Sequence, residues 1–506
     1  MILKLIASII CGSILSLSQP GFDLWFLAWI FLAPLFILIN TSKKMLEAIL
    51  FAGLFGFFYN AISLNWLLSL HPLTWLGLSY EESLFVSVLA LLIPAFCNSL
   101  YFILFGILVF VMNSRAPSPY NNGFLKYLLL SIFWIIIFNK ISSSKFLLGF
   151  PWTLIEYSQY KILPFIQIAE YFGSLFIGFI LVMFAQVIAD IFLNILNRER
   201  IGGRYLPKHP GKIEETYFGL LFILVLVIGI VINGKMAINN NEQSFTLDSK
   251  TILVMQGNLP IRATRGKYLD ISLAKKIYSN LLEENKADLI VAPEGALPVE
   301  VTNDADTKYW LKIKSIQNKA DIIFGSYCNK NKSKFTNCAV SYSGNEFLFY
   351  DKQRLVPFGE FVPLYWLLPK TLKRFADFAL GDGFIQGKNK LPVDLSIGKI
   401  GINICFELIF PEQIRELTME GANLLLNLSD LSWFRSNLVK KQFLAFAVFR
   451  AIENRKPFII ATNNGLSAFV EPTGKIRRIS NADLQMTLLD WVTLNDTKTF
   501  YAKFGW

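Results

Sequence analysis

Long runs of apolar residues fill the first half of the chain, whereas short apolar segments alternate with polar ones in the second half. About 20 apolar residues in helical form cross the hydrocarbon core of a bilayer. The first half contains seven candidate spans, at roughly 4–18, 23–40, 46–70, 84–112, 125–139, 163–195 and 217–233. We therefore predict a membrane domain over 1–234 and a globular domain over 235–506, with a core at about 251–495.

The first span has a second interpretation, since a signal peptide is similarly apolar. It lacks a clear small-residue cleavage site, so we favour an uncleaved span. Basic residues in short loops mark the cytoplasmic side of a membrane protein. They follow the second, fourth and sixth spans, as Lys43 and Lys44, as Arg115 and Lys126, and as a cluster within 198–212. The globular domain is then expected on the opposite side of the membrane.

Short apolar runs in the globular domain predict strands at 251–256, 289–292, 322–326, 339–343, 347–350, 400–404, 424–428 and 458–462. Helical patterns lie between several of them, near 271–285, 305–318, 411–420 and 437–454. Pro411 suits a helix start and Gly421 a helix end. Strands that are apolar on both faces indicate sheets covered on both sides, so we predict a layered α/β domain.

Composition and charge support a membrane protein over a nucleic-acid-binding one. The chain is 54% hydrophobic and only 17% charged, which is too apolar for an ordinary soluble protein. Its formal net charge is +11. The main basic cluster flanks predicted membrane spans, where it serves as a topology signal. We therefore predict a lipid bilayer as a partner and no nucleic acid.

The five cysteines fall into three groups. Cys11 and Cys97 lie within predicted spans, where a thiol packs as a small apolar group. Cys328 and Cys338 flank a predicted hairpin tip. In an exported domain they can form a disulfide, and two unpaired strand cysteines are the alternative. Cys405 remains as the odd cysteine of the globular domain, which calls for a chemical explanation.

The globular domain contains no histidine, since His71 and His209 lie in the membrane half. This excludes Cys-His and Ser-His-Asp catalysis there and disfavours a zinc site. A nucleophilic Cys405 therefore needs a carboxylate or a lysine as its base. Glu294, Lys352 and Cys405 each follow a predicted strand, where α/β proteins usually place their chemistry. Individually, they also fit a solvated carboxylate, a surface lysine and a core thiol.

In this order the three residues resemble the Glu-Lys-Cys triad of the nitrilase superfamily. An apolar half followed by an exported nitrilase-like domain resembles the apolipoprotein N-acyltransferases of Gram-negative bacteria. Ordered motifs extend this resemblance over almost the whole chain: LGFPWTLIEYSQ at 148–159, QGN at 256–258, PEGALP at 293–298, LVPFGEFVP at 355–363, CFE at 405–407, WF at 433–434, RAIENRKP at 450–457 and TNNG at 462–465. The resemblance implies an αββα sandwich after a helical membrane domain, with no cofactor and no metal.

The resemblance also implies roles for individual residues. Cys405 would be the nucleophile, and Glu294 would act first as general base and then as general acid. Lys352 would stabilise the thiolate and the tetrahedral oxyanion. The backbone N–H of Phe406 would be a second oxyanion donor. The family has tyrosine at this position, so Phe406 keeps the aromatic packing but loses a hydrogen bond.

Glu360 and Glu407 would support the site by orienting Lys352 or the acceptor amine. Glu407 fits a structural ion-pair partner equally well. The apolar segments 361–369 and 374–380 would be lids dipping into the outer leaflet, and packing on the domain core is the alternative.

The implied reaction moves a fatty acyl chain from a membrane phospholipid to an apolipoprotein. The donor would be phosphatidylethanolamine, and the acceptor the α-amine of a diacylglyceryl-cysteine at the protein's N-terminus. A thioester on Cys405 would link the two half-reactions in a ping-pong scheme. We expect a monomer in the bacterial inner membrane with a periplasmic catalytic domain.

Three other functions fit parts of the sequence. A membrane-anchored nitrilase-type amidase would use the same triad, with water as the acceptor. A transporter with a regulatory domain would carry functional charges inside its spans, where few are found. A binding module with a nitrilase-like fold would not need the complete triad. We favour the acyltransferase.

Overall fold

The computed structural model describes residues 1–115, 123–141, 150–196, 198–201, 204–207, 210–242, 248–260, 270–282, 286–331, 334–362, 365–367, 373 and 383–505. The chain divides into two compact units. A helical unit comprises Met1–Leu68 and Leu84–Asn239, and a sandwich unit comprises Ser69–Ser83 and Asn240–Trp506. The short segment Ser69–Ser83, which lies between predicted spans, thus clusters with the second half of the chain.

The helical unit is built from ten α-helices among its described residues: α1 Ile2–Ser16, α2 Leu27–Ile30, α3 Ala33–Asn40, α4 Met45–Ser63, α5 Tyr80–Arg115, α6 Phe124–Ile136, α7 Leu163–Ile166, α8 Ala169–Phe172, α9 Leu175–Leu196 and α10 Pro210–Asn240. A π-helical turn, Ile137–Ile141, follows α6, and 3-10 helices cover Asn65–Leu70, Thr74–Leu76 and Ile155–Gln159. A two-stranded sheet pairs β1 Arg198–Ile201 with β2 Arg204–Pro207.

Four of these helices are long and apolar enough to cross a membrane, at Met45–Ser63, Tyr80–Asn113, Leu175–Leu196 and Glu214–Asn240. The remaining predicted spans correspond to shorter apolar helices. The predicted span over 163–195 is interrupted at Gly173, whose positive φ of 72° ends α8. Pro94 lies within α5, which remains one helix in the structure.

Small residues bring α1 and α4 into close contact. A side chain at Gly12 would place its Cβ 2.4 Å from the carbonyl oxygen of Phe55, so only glycine fits. One turn earlier, the Ser8 hydroxyl donates a 2.6 Å hydrogen bond to the Phe51 carbonyl. Small and hydroxyl side chains at helix contacts are typical of membrane bundles, where dispersion and hydrogen bonds replace the hydrophobic effect.

Among the residues that the structure describes, the sandwich unit contains twelve strands: β3 Lys250–Gln256, β4 Leu289–Val291, β5 Asp321–Asn331, β6 Lys334–Ser343, β7 Glu346–Asp351, β8 Val393–Leu395, β9 Gly398–Ile404, β10 Leu424–Ser429, β11 Phe458–Thr462, β12 Ala468–Val470, β13 Ile476–Ile479 and β14 Met486–Val492. They form two six-stranded sheets, ordered β14-β3-β4-β5-β6-β7 and β13-β12-β11-β10-β9-β8. The inner strands β3, β4 and β5 are parallel, as are β9, β10 and β11, so each group ends at one edge of its sheet.

Five α-helices complete the described part of the sandwich unit: α11 Ile271–Leu282, α12 Ala305–Asn318, α13 Pro411–Met419, α14 Asn437–Asn454 and α15 Phe500–Phe504. As predicted, Pro411 begins α13 and Gly421, with φ of 99°, follows its end. Tyr278 of α11 and Leu311 of α12 are buried on the first sheet. The helices α13 and α14 pack on strands of the second sheet.

The period-two pattern of the strands produces two core layers. In β3, Ile252 and Val254 face the second sheet and share its core with Ile402. Leu253 and Met255 point the opposite way, toward the helices. All five side chains are fully buried. One face of β3 is thus buried between the two sheets, and the other is buried under the helices. Strands that are covered on both faces are what an αββα sandwich requires, so the predicted fold is confirmed.

Candidate active site

The structure brings the three predicted triad residues together. Glu294 follows β4, Lys352 directly follows β7, and Cys405 directly follows β9. The ammonium Nζ of Lys352 lies 3.1 Å from Oε1 of Glu294. The Cys405 thiol is hydrogen-bonded to the Glu294 carboxylate. Glu294 and Lys352 are buried, whereas Cys405 is half-buried. A thiol, a carboxylate and a cation thus meet where these strands end.

Glu294 is held by donors on both of its carboxylate oxygens. Oε1 accepts hydrogen bonds from Lys352 Nζ and from Asn337 Nδ2, the latter at 2.6 Å. Oε2 accepts from the backbone N–H of Asp430 at 2.9 Å. A carboxylate that accepts several hydrogen bonds in a buried site has one fixed orientation. The orientation of Glu294 toward the thiol is therefore set by three separate elements of the chain.

Lys352 lies between two carboxylates. Its Nζ donates to Glu360 Oε1 at 2.9 Å as well as to Glu294. Glu360 in turn accepts from Asn337 Nδ2 at 2.9 Å and from the backbone N–H of Val356 at 2.8 Å. Removing one partner of such a buried pair is strongly destabilising, because it leaves a charge uncompensated. Glu360 thus fixes the lysine, and Asn337 joins the two carboxylates.

Cys405 occupies a backbone conformation that is uncommon for a residue with a side chain. Its φ is 52°, and it begins the 3-10 helix Cys405–Ile409. Non-glycine residues with positive φ cluster at active sites, where the surrounding structure stabilises them. Here Glu407 supplies that support, since its Oε2 accepts from the backbone N–H of Ile404 at 2.7 Å. The turn points the thiol away from the strand and toward Glu294.

Glu407 also connects the cysteine turn to the lysine loop. Its Oε1 accepts from the backbone N–H of Gln353 at 2.6 Å and from that of Arg354 at 3.1 Å. Tyr350 donates its hydroxyl to Oε2 at 3.0 Å. Glu407 therefore contacts backbone on both sides of the site, next to Cys405 and next to Lys352.

Burial and charge determine the protonation of the site. Burial raises the pKa of the Cys405 thiol well above its ordinary value, and the negative charge of Glu294 raises it further. Burial alone would lower the pKa of Lys352, but Glu294 and Glu360 outweigh this and raise it. The resting site thus holds a neutral thiol and a charged ammonium. The carboxylate in hydrogen-bond contact with that thiol is Glu294.

Comparison with known proteins assigns both halves of the chain. Residues 11–187 match the family model described as the apolipoprotein N-acyltransferase N-terminal domain. An apolipoprotein N-acyltransferase of Pasteurella multocida is 29% identical over 98% of this chain and 91% of its own length. One of Geobacter metallireducens is 27% identical over the same shares. Over almost its whole length the chain is thus similar to apolipoprotein N-acyltransferases.

The second half matches a broader family in addition. Residues 268–492 match the carbon-nitrogen hydrolase model. A CN-hydrolase superfamily protein of Xanthomonas campestris superposes with a TM-score of 0.38 at 17% identity, covering 48% of this chain and 90% of that one. The nitrilase-like interpretation of this half is therefore confirmed by the family model.

Two motifs that carry the family resemblance meet at the edge between the sheets. The backbone N–H of Asn258, in QGN, donates to the carbonyl of Asn463, in TNNG, at 2.9 Å. The side-chain oxygen of Gln256 accepts from the hydroxyls of Ser467 and Ser480 at 2.8 and 2.9 Å. These contacts join the end of β3 to the segment after β11. The two motifs thus connect the two sheets beside the site.

Phe406, at the position where the sequence resemblance leads us to expect tyrosine, is buried. Its ring packs edge-on against Phe410 at a centroid distance of 5.2 Å. The Arg354 guanidinium lies 3.9 Å from the centroid of the Phe410 ring. Cation–π and edge-to-face contacts of this kind fix an aromatic ring without a hydroxyl. The aromatic packing expected at this position is therefore present.

Sequence reasoning missed Asn337 and Asp430. Asn337 is fully buried on β6 and donates to both site carboxylates. Asp430 contributes through its backbone, which no residue pattern reveals. The one available signal for Asn337 was a polar residue beside Cys338 within an apolar run. Its side chain carries the two N–H donors that two neighbouring carboxylates require.

Cys328 and Cys338 form a disulfide across the β5–β6 hairpin. Of the two interpretations left open, the disulfide is confirmed. Among the described residues, the one group with metal-ligand spacing is Cys328, Cys338 and Asp351. The bonded sulfurs are not available as thiolate ligands. Of the predicted lids, 374–380 and part of 361–369 lie outside the described residues.

Proposed function

We propose that this protein transfers a fatty acyl chain from a membrane phospholipid to the N-terminal α-amine of diacylglyceryl-cysteine in apolipoproteins. Its relatives are apolipoprotein N-acyltransferases, which supports an acyltransferase that acts in lipoprotein N-acylation. The observation that carries the mechanism is the contact between the Cys405 thiol, the Glu294 carboxylate and the Lys352 ammonium.

In the first half-reaction, Glu294 takes the thiol proton as sulfur attacks the sn-1 ester carbonyl of phosphatidylethanolamine. A carbon–sulfur bond forms, and the negative charge moves to the carbonyl oxygen. The ammonium of Lys352 and the backbone N–H of Phe406 stabilise this oxyanion. The intermediate collapses to a thioester, and the lysophospholipid oxygen leaves with the proton that Glu294 returns.

In the second half-reaction, the uncharged α-amine of the apolipoprotein attacks the thioester. A carbon–nitrogen bond forms as the carbon–sulfur bond breaks. Glu294 takes the proton from the nitrogen and returns it to the sulfur of Cys405. The products are an N-acylated lipoprotein and the resting thiol. Both steps use the same base and the same cation, so one site can serve two substrates in turn.

The membrane context supports lipid substrates. Four of the described helices are long and apolar enough to cross a bilayer, and both proposed substrates reside in lipid. The disulfide between Cys328 and Cys338 supports an oxidising compartment for the sandwich unit. We therefore propose a monomer in the bacterial inner membrane with its catalytic unit in the periplasm. The basic loops of the sequence support the same orientation.

Intact mass spectrometry after incubation with phosphatidylethanolamine tests the proposal. The wild type is expected to gain the mass of one fatty acyl chain, and hydroxylamine is expected to remove it. Cys405→Ala should not gain this mass. Cys97→Ala is the matched control, because Cys97 is another half-buried free thiol, and it should acylate normally.

A second substrate distinguishes the acceptor. Adding a diacylated lipopeptide with a free N-terminus should discharge the thioester and yield a triacylated peptide. An unmodified wild type that also releases no lysophospholipid would refute a phospholipid donor. Release of free fatty acid with the lipopeptide unchanged would instead favour hydrolysis, as in a nitrilase-type amidase.

A further inference from the structure

A ring contact joins Ser69–Ser83, a connector that follows α4 and includes the first turn of α5, to the neighbourhood of the catalytic base. Ser69–Ser83 belongs to the sandwich unit, although α4 and α5 are apolar helices of the first half. Within it, Trp75 packs edge-on against Trp433 at a centroid distance of 5.1 Å and an interplanar angle of 63°. Both indoles are half-buried. A half-buried aromatic pair fixes the relative position of the two segments that carry it.

The segment that carries Trp433 is the one that holds Glu294. The backbone N–H of Asp430 donates to Glu294 Oε2 at 2.9 Å. The N–H of Ser432 returns to Oδ1 of Asp430 at 3.0 Å, and the N–H of Phe434 bonds the Leu431 carbonyl at 3.0 Å. These bonds make residues 430–434 a turn whose shape sets the direction of the Asp430 N–H. We call this segment the base turn.

The connector is itself ordered enough to support the base turn. The Ser83 hydroxyl accepts from the backbone N–H of Leu73 at 2.6 Å and lies 2.9 Å from His71 Nδ1. The His71 ring packs edge-on against Tyr80 at 4.3 Å. Leu73 and Leu78 are buried. Trp75 therefore lies in a segment whose conformation is held by hydrogen bonds, a ring contact and buried leucines.

We infer that Trp75 is a positioning residue for the catalytic base, acting through Trp433 and the base turn on Glu294. The inference rests on the proposed roles of Glu294 and Cys405. Without the indole at position 75, the outer face of the base turn loses a large rigid contact. The Asp430 N–H then samples more directions, and the Glu294 carboxylate is held less closely to the thiol. A residue from the apolar half of the sequence thus tunes the reactivity of Cys405.

Alkylation of Cys405 by iodoacetamide as a function of pH tests this inference without any lipid substrate. The test uses the full-length protein with Cys11→Ala and Cys97→Ala, so that the reagent reports one free thiol. Because the Glu294 charge raises the pKa of the thiol, loosening that carboxylate should shift the alkylation midpoint to lower pH. We expect Trp75→Ala to shift it by about 0.5–1 pH unit. Trp75→Phe should stay close to the wild type.

Trp310→Ala is the matched control. Trp310 is also half-buried and packs edge-on against Phe324 at 5.7 Å, within the helix layer on the first sheet. It should lower thermal stability without moving the alkylation midpoint. If Trp75 acts through Trp433, the double variant Trp75→Ala/Trp433→Ala should shift no further than Trp433→Ala alone.

Two results would overturn the inference. One is a wild-type alkylation midpoint in Trp75→Ala, and the other is additive shifts in the double variant. Acyl transfer provides a separate measurement, where Trp75→Ala should slow thioester formation about two- to tenfold. Failure of the wild type to form a thioester would refute the proposed function while leaving the alkylation result interpretable.

Discussion

Replacing Asn337 by leucine removes both amide N–H donors that connect the two site carboxylates. The lost bonds are those from Nδ2 to Glu294 Oε1 at 2.6 Å and to Glu360 Oε1 at 2.9 Å. Each carboxylate keeps Lys352 and one backbone N–H, of Asp430 or Val356. The backbone of β6 is unchanged, so the carbonyl of residue 337 still accepts from the Lys352 N–H at 2.8 Å.

A hydrogen bond to a charged group contributes about 1.5–3 kcal/mol, so the two together contribute about 3–6 kcal/mol. Part of this loss appears as lower stability. The rest appears in the chemistry, because a Glu294 carboxylate with one donor fewer is easier to protonate. Protonated Glu294 cannot accept the thiol proton. The acid limb of the pH–rate profile for thioester formation is expected to move up by about one to two pH units.

Single-turnover acylation with a fluorescent phosphatidylethanolamine, measured across pH, checks this expectation. Asn454→Leu is the control, because Asn454 is a fully buried asparagine of the same unit that donates to the Arg450 carbonyl at 2.9 Å. Thermal unfolding of both variants gives the stability loss. If Asn337→Leu loses stability like the control but keeps the wild-type pH profile, our reasoning about the carboxylate pair is wrong.

Three further predictions concern charge, the disulfide and a buried lysine. Glu360→Gln removes a negative charge that raises the pKa of Cys405, so the thiol should alkylate faster at neutral pH. Thioester formation should nevertheless slow, because Lys352 is held less firmly. An unchanged rate of alkylation would contradict this prediction. Replacing Cys328 and Cys338 by serine removes a disulfide that closes a loop with a sequence separation of 10. This should lower the free energy of unfolding by about 3 kcal/mol. Thermal unfolding measures the loss, with Cys97→Ser as the control. Burial lowers the pKa of Lys456 to about 8, below its unfolded value of about 10.4. The folded state therefore binds this proton less well than the unfolded state, and stability should rise from pH 8 to about 10.4; Lys456→Met should lack this rise.

The strands at the centre of each sheet could be predicted because they are apolar on both faces. The runs around Ile252, Ile290, Ile402 and Leu426 are of this kind, and each is a strand in the structure. The edge strands β8, β13 and β14 were missed, as was the short strand β12 next to β13. In β13, Ile476–Ile479 carries two arginines and is partly exposed, so no apolar run marks it. An edge strand is specified by its neighbour's hydrogen bonds more than by its own residues.

The sequence by itself determined the identities of Glu294, Lys352 and Cys405 as candidates, since strand ends and the lack of histidine left few other groups for the chemistry. Only the tertiary structure decided how they are held. The donors on Glu294 come from Asn337, 43 residues away, and from the backbone of Asp430, 136 residues away. Local patterns record the polarity and periodicity of neighbouring residues. They do not record which distant N–H groups meet one carboxylate, because the packing of two sheets sets that.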